Sequence, residues 1–208
     1  MRTVEAYNNW AESYDQVENP TRSLDEKVVR NLLTVLDGID IIEAGCGTGK
    51  NSAWFSQKCR SLKSFDFSNE MLKIAKGKVK NNNTEFINHD VTEPWPFGNN
   101  SCDLVSINLI LEHIENIDFI FEESYRILRD NGKLFVSELH PLKQKEGSVA
   151  RFVDIKTEKE IRLVSYYHSK DNFTEAGELA GFSQIEMKDW YDDTNNDIPR
   201  LLSILLTK

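Results

Sequence analysis

At 208 residues, with 39% apolar and 28% charged side chains, the chain has the length of one domain and the composition of a globular protein, which excludes a disordered polymer. Its 25 basic and 34 acidic residues leave a formal charge of −9, which disfavours a broad grip on nucleic-acid phosphates. Cys46, Cys59 and Cys102 form neither a CxxC pair nor a zinc spacing; they read as reduced, buried thiols of a cytoplasmic protein with no metal site. The opening MRTVEAYNNWAESYD lacks the apolar centre of a signal peptide, and no apolar run approaches the length of a membrane span.

In chain order, Val4–Asp15 places Tyr7, Trp10, Ala11 and Tyr14 at helical spacing. Asp40–Ala44 predicts a short buried strand that stops at glycines, and Gly49–Cys59 a helix. Leu62–Phe67 predicts a second strand. Ser68 then reads as a helix cap before Met71, Leu72, Ala75 and Val79 on one face. Glu85–Asp90 and Cys102–Leu109 predict further strands. Ile117, Ile120, Phe121, Ser124, Tyr125 and Leu128 predict the clearest helix, ended by Asn131-Gly132. Lys133–Leu139 reads as a fifth strand, Gly147–His168 as a hairpin (RFVDIK, TEKE, IRLVSYY), and Asp171–Ala180 as a helix; Phe182–Met187 and Arg200–Leu206 close the chain as strands. Strand–helix alternation from Asp40 to Leu139 predicts a parallel α/β sheet with right-handed crossovers, and the last two strands, with no helix between them, can pair antiparallel.

The chemistry concentrates at EAGCGTG, Glu43–Gly49, a turn between strand and helix. A phosphate loop fits poorly, because Ala44 stands where its first glycine belongs and Asn51 where its hydroxyl belongs. A dinucleotide turn is a near miss, with Lys50 in place of its third glycine. A nucleoside site of the methyl-donor type places an acid two positions before the first glycine, as Glu43 is; a plain tight turn is the fourth reading. Asp66 ends the second strand and can accept both ribose hydroxyls. Asp90, ending the third beside Val91, suits an adenine edge and face. Each acid alone could cap its strand, but three at successive strand ends lie on the edge where parallel sheets bind ligands.

On these residues the chain resembles the class I S-adenosylmethionine-dependent methyltransferases. DIIEAGCGTG (Asp40–Gly49) is similar to their first motif and SFDFSNEMLKIA (Ser64–Ala75) to their ribose-binding segment. HDVTEPWPFGNNSCDLV, INLILEHIENI and ILRDNGKLFVSE resemble the segments that follow, and YNNWAESYD resembles the leading helix of the small-molecule and quinone-biosynthesis branch. The resemblance implies a Rossmann-like, doubly wound seven-stranded sheet, mostly parallel with an antiparallel last strand. It implies that Glu43, Gly45 and Gly47 meet the donor's amino-acid end, that Asp66 holds the ribose, that Phe67 and Met71 flank the adenine, and that Asp90 and Val91 take its edge and face. Asn108 is expected near the methionine moiety and Tyr14 over the donor.

Transfer from a sulfonium needs positioning first and a base only for a protonated acceptor. His113, His140, His168, Tyr166 and Tyr167 are the candidates; His140, expected at the ligand edge before Pro141, is the first choice as catalytic residue. The expected organisation is a single domain over 1–208, with residues 1–30 as a helical lid and 141–170 as an inserted hairpin lid carrying aromatics. The activity expected is methyl transfer from S-adenosylmethionine to a small molecule, with S-adenosylhomocysteine as product. A donor-binding regulatory or assembly subunit is the alternative, and neither a nucleic-acid partner nor a membrane span is expected.

Overall fold

The computed structural model describes residues 3–153, 157–192 and 197–208. Its centre is a seven-stranded sheet of β1 (Asp40–Ala44), β2 (Ser61–Asp66), β3 (Thr84–Asn88), β4 (Cys102–Asn108), β5 (Leu128–Leu139), β8 (Gln184–Trp190) and β9 (Leu201–Thr207), in the order β3-β2-β1-β4-β5-β9-β8. All neighbouring pairs from β3 to β5 are parallel; β9 runs antiparallel between β5 and β8. The expected sheet is therefore present, and its antiparallel strand is the last in sequence rather than the last in space.

Apolar side chains explain why β1 and β4 are central. Ile42, Ala44, Val105, Ile107, Leu134 and Val136 join one buried cluster, while Ile41, Leu104 and Phe135 join the other. Alternate residues of each strand thus feed opposite faces, as a sheet covered on both sides requires. The first face is closed by Ile120 and Phe121 of α5 (Asp118–Ile127) and Phe173 and Ala176 of α7 (Lys170–Ala180). The second is closed by Val28 and Val29 of α2 (Pro20–Leu32) and Phe55 of α3 (Lys50–Phe55). α4 (Asn69–Lys78) buries Met71, Leu72 and Ala75, and Ser68 caps it by accepting the Met71 N–H.

Three local outcomes differ from the sequence reading, and the expected hairpin forms with short strands. Helix α5 stops at Ile127, because Leu128 already pairs with Cys102; Asn131, with φ 64°, and Gly132 form a tight turn inside β5 before pairing resumes at Leu104↔Lys133. Helix α2, unassigned in the sequence except as part of a lid, is core: Asn19 caps it, Pro20 opens it, and Val28 and Val29 are buried against the sheet. A short helix, α6 (Pro141–Lys145), follows β5 directly. The hairpin forms as β6 (Arg151–Val153) against β7 (Glu160–Arg162), while its expected residues 154–156 lie outside the described set.

A third cluster stands apart from the two sheet faces. Ala6 and Trp10 of α1 (Thr3–Tyr14) pack on Phe152 and Leu163 of the hairpin, with Trp10 stacked on Phe152 at 5.0 Å and 12°. The two segments placed outside the core by sequence are thus packed on each other.

Candidate active site

Strand order reverses between β1 and β4, and the chain leaves both strands there, so their carboxyl ends open a crevice. β1 runs into the glycine turn, whose Gly45 and Cys46 N–H groups donate to Phe65 O at 2.9 and 3.1 Å, pinning it to β2. Gly45, Gly47 and Gly49 have φ of 69°, 52° and 77°, a region that favours glycine. A Cβ on Gly47 would project into open space, whereas one on Gly49 would strike Ala75. Gly47 therefore leaves room for a ligand, and Gly49 lets α3 and α4 approach.

A cavity of about 490 Å³ lies over this turn. All ten donor-site positions expected from sequence line it: Glu43, Gly45 and Gly47 from β1 and its turn, Asp66, Phe67 and Met71 from β2 and α4, Asp90 and Val91 after β3, Asn108 at the end of β4, and Tyr14 at the end of α1. Asp66 accepts the Gly47 N–H at 2.9 Å and the Ser68 N–H at 2.8 Å, one on each carboxylate oxygen. Burial nonetheless pushes its carboxyl up to about 6. Glu43 accepts hydrogen bonds from Ser52 and Ser64, and burial pushes it up to about 7. Asp90 is exposed and accepts from the Thr92 N–H and hydroxyl.

Several lining residues carry no signal in the sequence reading. Asp25 of α2, 1% exposed, accepts from Asn108 at 2.8 Å and Asn51 at 3.2 Å and pairs with Lys50 at 3.4 Å. Lys50 also donates to Arg22 O, and Arg22 lies 4.1 Å from the centre of the Tyr14 ring. These residues reach the site only because α2 packs beside α3; the Asn19-Pro20 start signal could have revealed the helix, but not what it faces. His113, at the end of the short 3-10 turn Leu111–His113, also lines the cavity and bonds Tyr7 at 2.9 Å.

His140 is not among the lining residues. It is 2% exposed, its Nδ1 accepts the Leu142 N–H as the cap of α6, and its Nε2 therefore donates to Asp189 at 3.2 Å. The choice of His140 is corrected by its contacts: just past the end of β5, it donates its N–H to Arg200 O before β9 and turns its ring to Asp189 on β8 rather than to the cavity. Burial also pulls its imidazole below the usual range, against the pull of Asp189. His168 is buried too, donating to Ile114 O at 2.8 Å. Tyr167 is 46% exposed, with Lys145 Nζ 5.0 Å from the centre of its ring, and is not among the cavity's lining residues.

Residues 42–136 match the family model described as a methyltransferase domain. The chain is 30% identical over 224 residues to "Uncharacterized methyltransferase AN0656" of Emericella nidulans, covering 90% of this chain and 78% of that one. It is 31% identical over 114 residues to demethylmenaquinone methyltransferase of Listeria welshimeri, covering 52% of this chain and 48% of that one. A solved S-adenosylmethionine-dependent methyltransferase from Mesorhizobium loti superposes with a TM-score of 0.77 at 17% identity, over 90% of this chain and 100% of that one. The chain belongs to the class I S-adenosylmethionine-dependent methyltransferases, and S-adenosylmethionine is its cofactor. The cavity suits that molecule on its own terms: open space at Gly47 allows close backbone approach, and the buried acids Glu43 and Asp66 on the wall complement a cationic ligand.

Proposed function

We propose that the protein transfers the methyl group of S-adenosylmethionine to a small-molecule acceptor. The observation that carries this reading is the convergence of Glu43, Asp66 and Asp90, from three successive strand ends, on one cavity whose far wall is the aromatic helix α1. In this reading Asp66 holds the ribose, Asp90 and Val91 the adenine edge and face, and Phe67 and Met71 its flanks. Glu43, Gly45, Gly47 and Asn108 meet the amino-acid end. The bound donor supplies a methyl group already activated as a sulfonium, so the chain has to orient the acceptor and exclude water.

The α1 helix and the hairpin act as one lid. Their shared cluster, the Tyr7 and Tyr14 side chains on the cavity wall and the bonds from Ser68 to Asn8 and from Thr48 to Asp15 support this reading. A quinone-like acceptor is supported by the similarity to demethylmenaquinone methyltransferase and by the aromatic wall.

Calorimetry should show S-adenosylhomocysteine binding in the micromolar range and no binding of nicotinamide dinucleotides; the reverse pattern overturns the donor site. Product formation with a metabolite panel of phenols, quinols, amines and carboxylates then separates a transferase from a donor-binding subunit, which would bind donor and turn over none of them.

A further inference from the structure

We propose that Tyr7 and His113 form the proton-accepting pair of the transfer reaction, assembled when α1 and the hairpin are both docked. The proposal rests on the methyl-transfer reading above and assigns a role that His140, buried away from the cavity, does not fill.

Three separate chain segments build the pair. Tyr7 comes from α1, His113 from the turn after β4, and the third member is the Val164 carbonyl just beyond β7. His113 Nδ1 lies 2.9 Å from Val164 O. A carbonyl oxygen only accepts, so Nδ1 carries its hydrogen whether the ring is neutral or charged. The neutral ring then has a bare lone pair on Nε2, and Tyr7 Oη, 2.9 Å away, donates to it. The backbone of the hairpin thereby fixes the direction of the hydrogen bond on the cavity wall.

A structural latch alone would not need this polarity. Helix α1 is already held by the Trp10–Phe152 stack, by Asn8 on Ser68 and by Asp15 on Thr48. Tyr14 on α1, Asp66 at the end of β2, Glu112 beside His113 and Glu138 on β5 are acidic groups around Tyr7, and each opposes a phenolate there. Burial, reinforced by these neighbours, pushes the Tyr7 phenol well up, so a phenolate does not persist and its proton has to be replaced from the acceptor. Glu112 also lies beside the ring, its Oε1 3.9 Å from His113 Nε2.

The step balances as follows. The O–H or N–H nucleophile of the acceptor forms its bond to the methyl carbon while the carbon–sulfur bond breaks and leaves its pair on sulfur. The acceptor's proton passes to Tyr7 Oη as the Tyr7 proton passes to His113 Nε2, leaving an imidazolium that still donates to Val164. Tyr7 is the catalytic residue that touches the acceptor; His113 acts through it.

Four measurements on the full chain test the proposal. Nitrogen NMR of His113 in the S-adenosylhomocysteine complex should show hydrogen on Nδ1 and none on Nε2 at high pH; an Nε2–H form overturns the proposal whether or not an acceptor has been found. Tyr7→Phe and His113→Gln, assayed with the acceptor from the metabolite panel, should each lose roughly 10²–10⁴-fold in turnover. S-adenosylhomocysteine affinity should stay within about threefold, a change of under ~1 kcal/mol. His113→Ala should recover part of its rate with added imidazole, which a packing role would not produce. Unchanged turnover in both variants overturns the pair. Loss of product binding in parallel with turnover also overturns it, by making the two residues a latch. Failure of the unmodified protein to bind S-adenosylhomocysteine would instead defeat the donor-site reading.

Discussion

Asp66 shows how one side chain serves both turn and ligand. Each of its oxygens accepts one backbone N–H, from Gly47 and from Ser68, and each keeps a second lone pair, while the residue lines the cavity. Asp66→Ala is expected to weaken S-adenosylhomocysteine binding by about 2–3 kcal/mol, the scale of lost hydrogen bonds to a charged group. Because it also frees two N–H groups, the unfolding midpoint should fall, and Asp66→Asn should lose less of both; calorimetry and thermal denaturation separate the two effects. Glu43 has a different signature. Its carboxyl sits at about 7, so it is partly protonated at neutral pH in the free protein, and a cationic ligand must select the ionised form. S-adenosylmethionine affinity should therefore rise with pH between about 6 and 8, and in Glu43→Gln that dependence should flatten while affinity drops.

At the scale of elements, α1 is the informative helix, because its buried residues meet the hairpin rather than the sheet. Trp10, 5% exposed, stacks on Phe152, and its indole N–H has no hydrogen-bond partner among the described residues. Trp10→Ala should cost about 3–5 kcal/mol of lid docking, the range for losing a large buried aromatic. The main unfolding transition should move little, since neither sheet-face cluster includes Trp10. The expected outcome is faster S-adenosylhomocysteine release and faster amide exchange in α1 and the hairpin; a drop in global stability of the same size with unchanged exchange in the lid would show that α1 belongs to the core. The Asp15–Lys78 pair at the end of α1 is partly exposed and should contribute under about 1 kcal/mol.

For the whole molecule, buried carboxyls set the pH response, with Glu43, Asp66, Glu112 and Glu138 all raised by burial. Burial raises Asp66 to about 6, Glu43 to about 7 and Glu138 to about 8. Unfolded carboxyls titrate near 4, so between about 4 and 8 the folded chain holds more protons than the unfolded one. Stability of the free protein should therefore fall as pH rises through that window and level off above it. Asp40 works in the opposite sense: hydrogen bonds from Arg60 and Arg129 hold its carboxyl far below the usual range, so its contribution is present above pH 4 and lost as the pH falls lower. Thermal unfolding from pH 4.5 to 8.5 should show the decline, and Glu138→Gln should remove its upper part.

The seven-stranded sheet was legible in the residues because apolar runs such as DIIEA and LVSI and the glycine turn are local patterns, set by side-chain period and backbone sterics. That the ten positions named through the family resemblance line one cavity has a related reason for those at the sheet edge: parallel strands deliver their carboxyl ends to one side, so order along the chain becomes proximity in space. Other features were decided only by packing. Asn131-Gly132 carries a helix-stop signal, yet pairing of Leu128 with Cys102 ends α5 earlier. His140 and His113 look alike as histidines after strands, but strand order places one beside Asp189 and the other on the cavity wall against Tyr7. Which nitrogen of His113 holds its proton depends on a carbonyl fifty-one residues away, and Asp25 meets Asn108 across eighty-three. Such contacts form only when separate elements converge, and no local propensity encodes them.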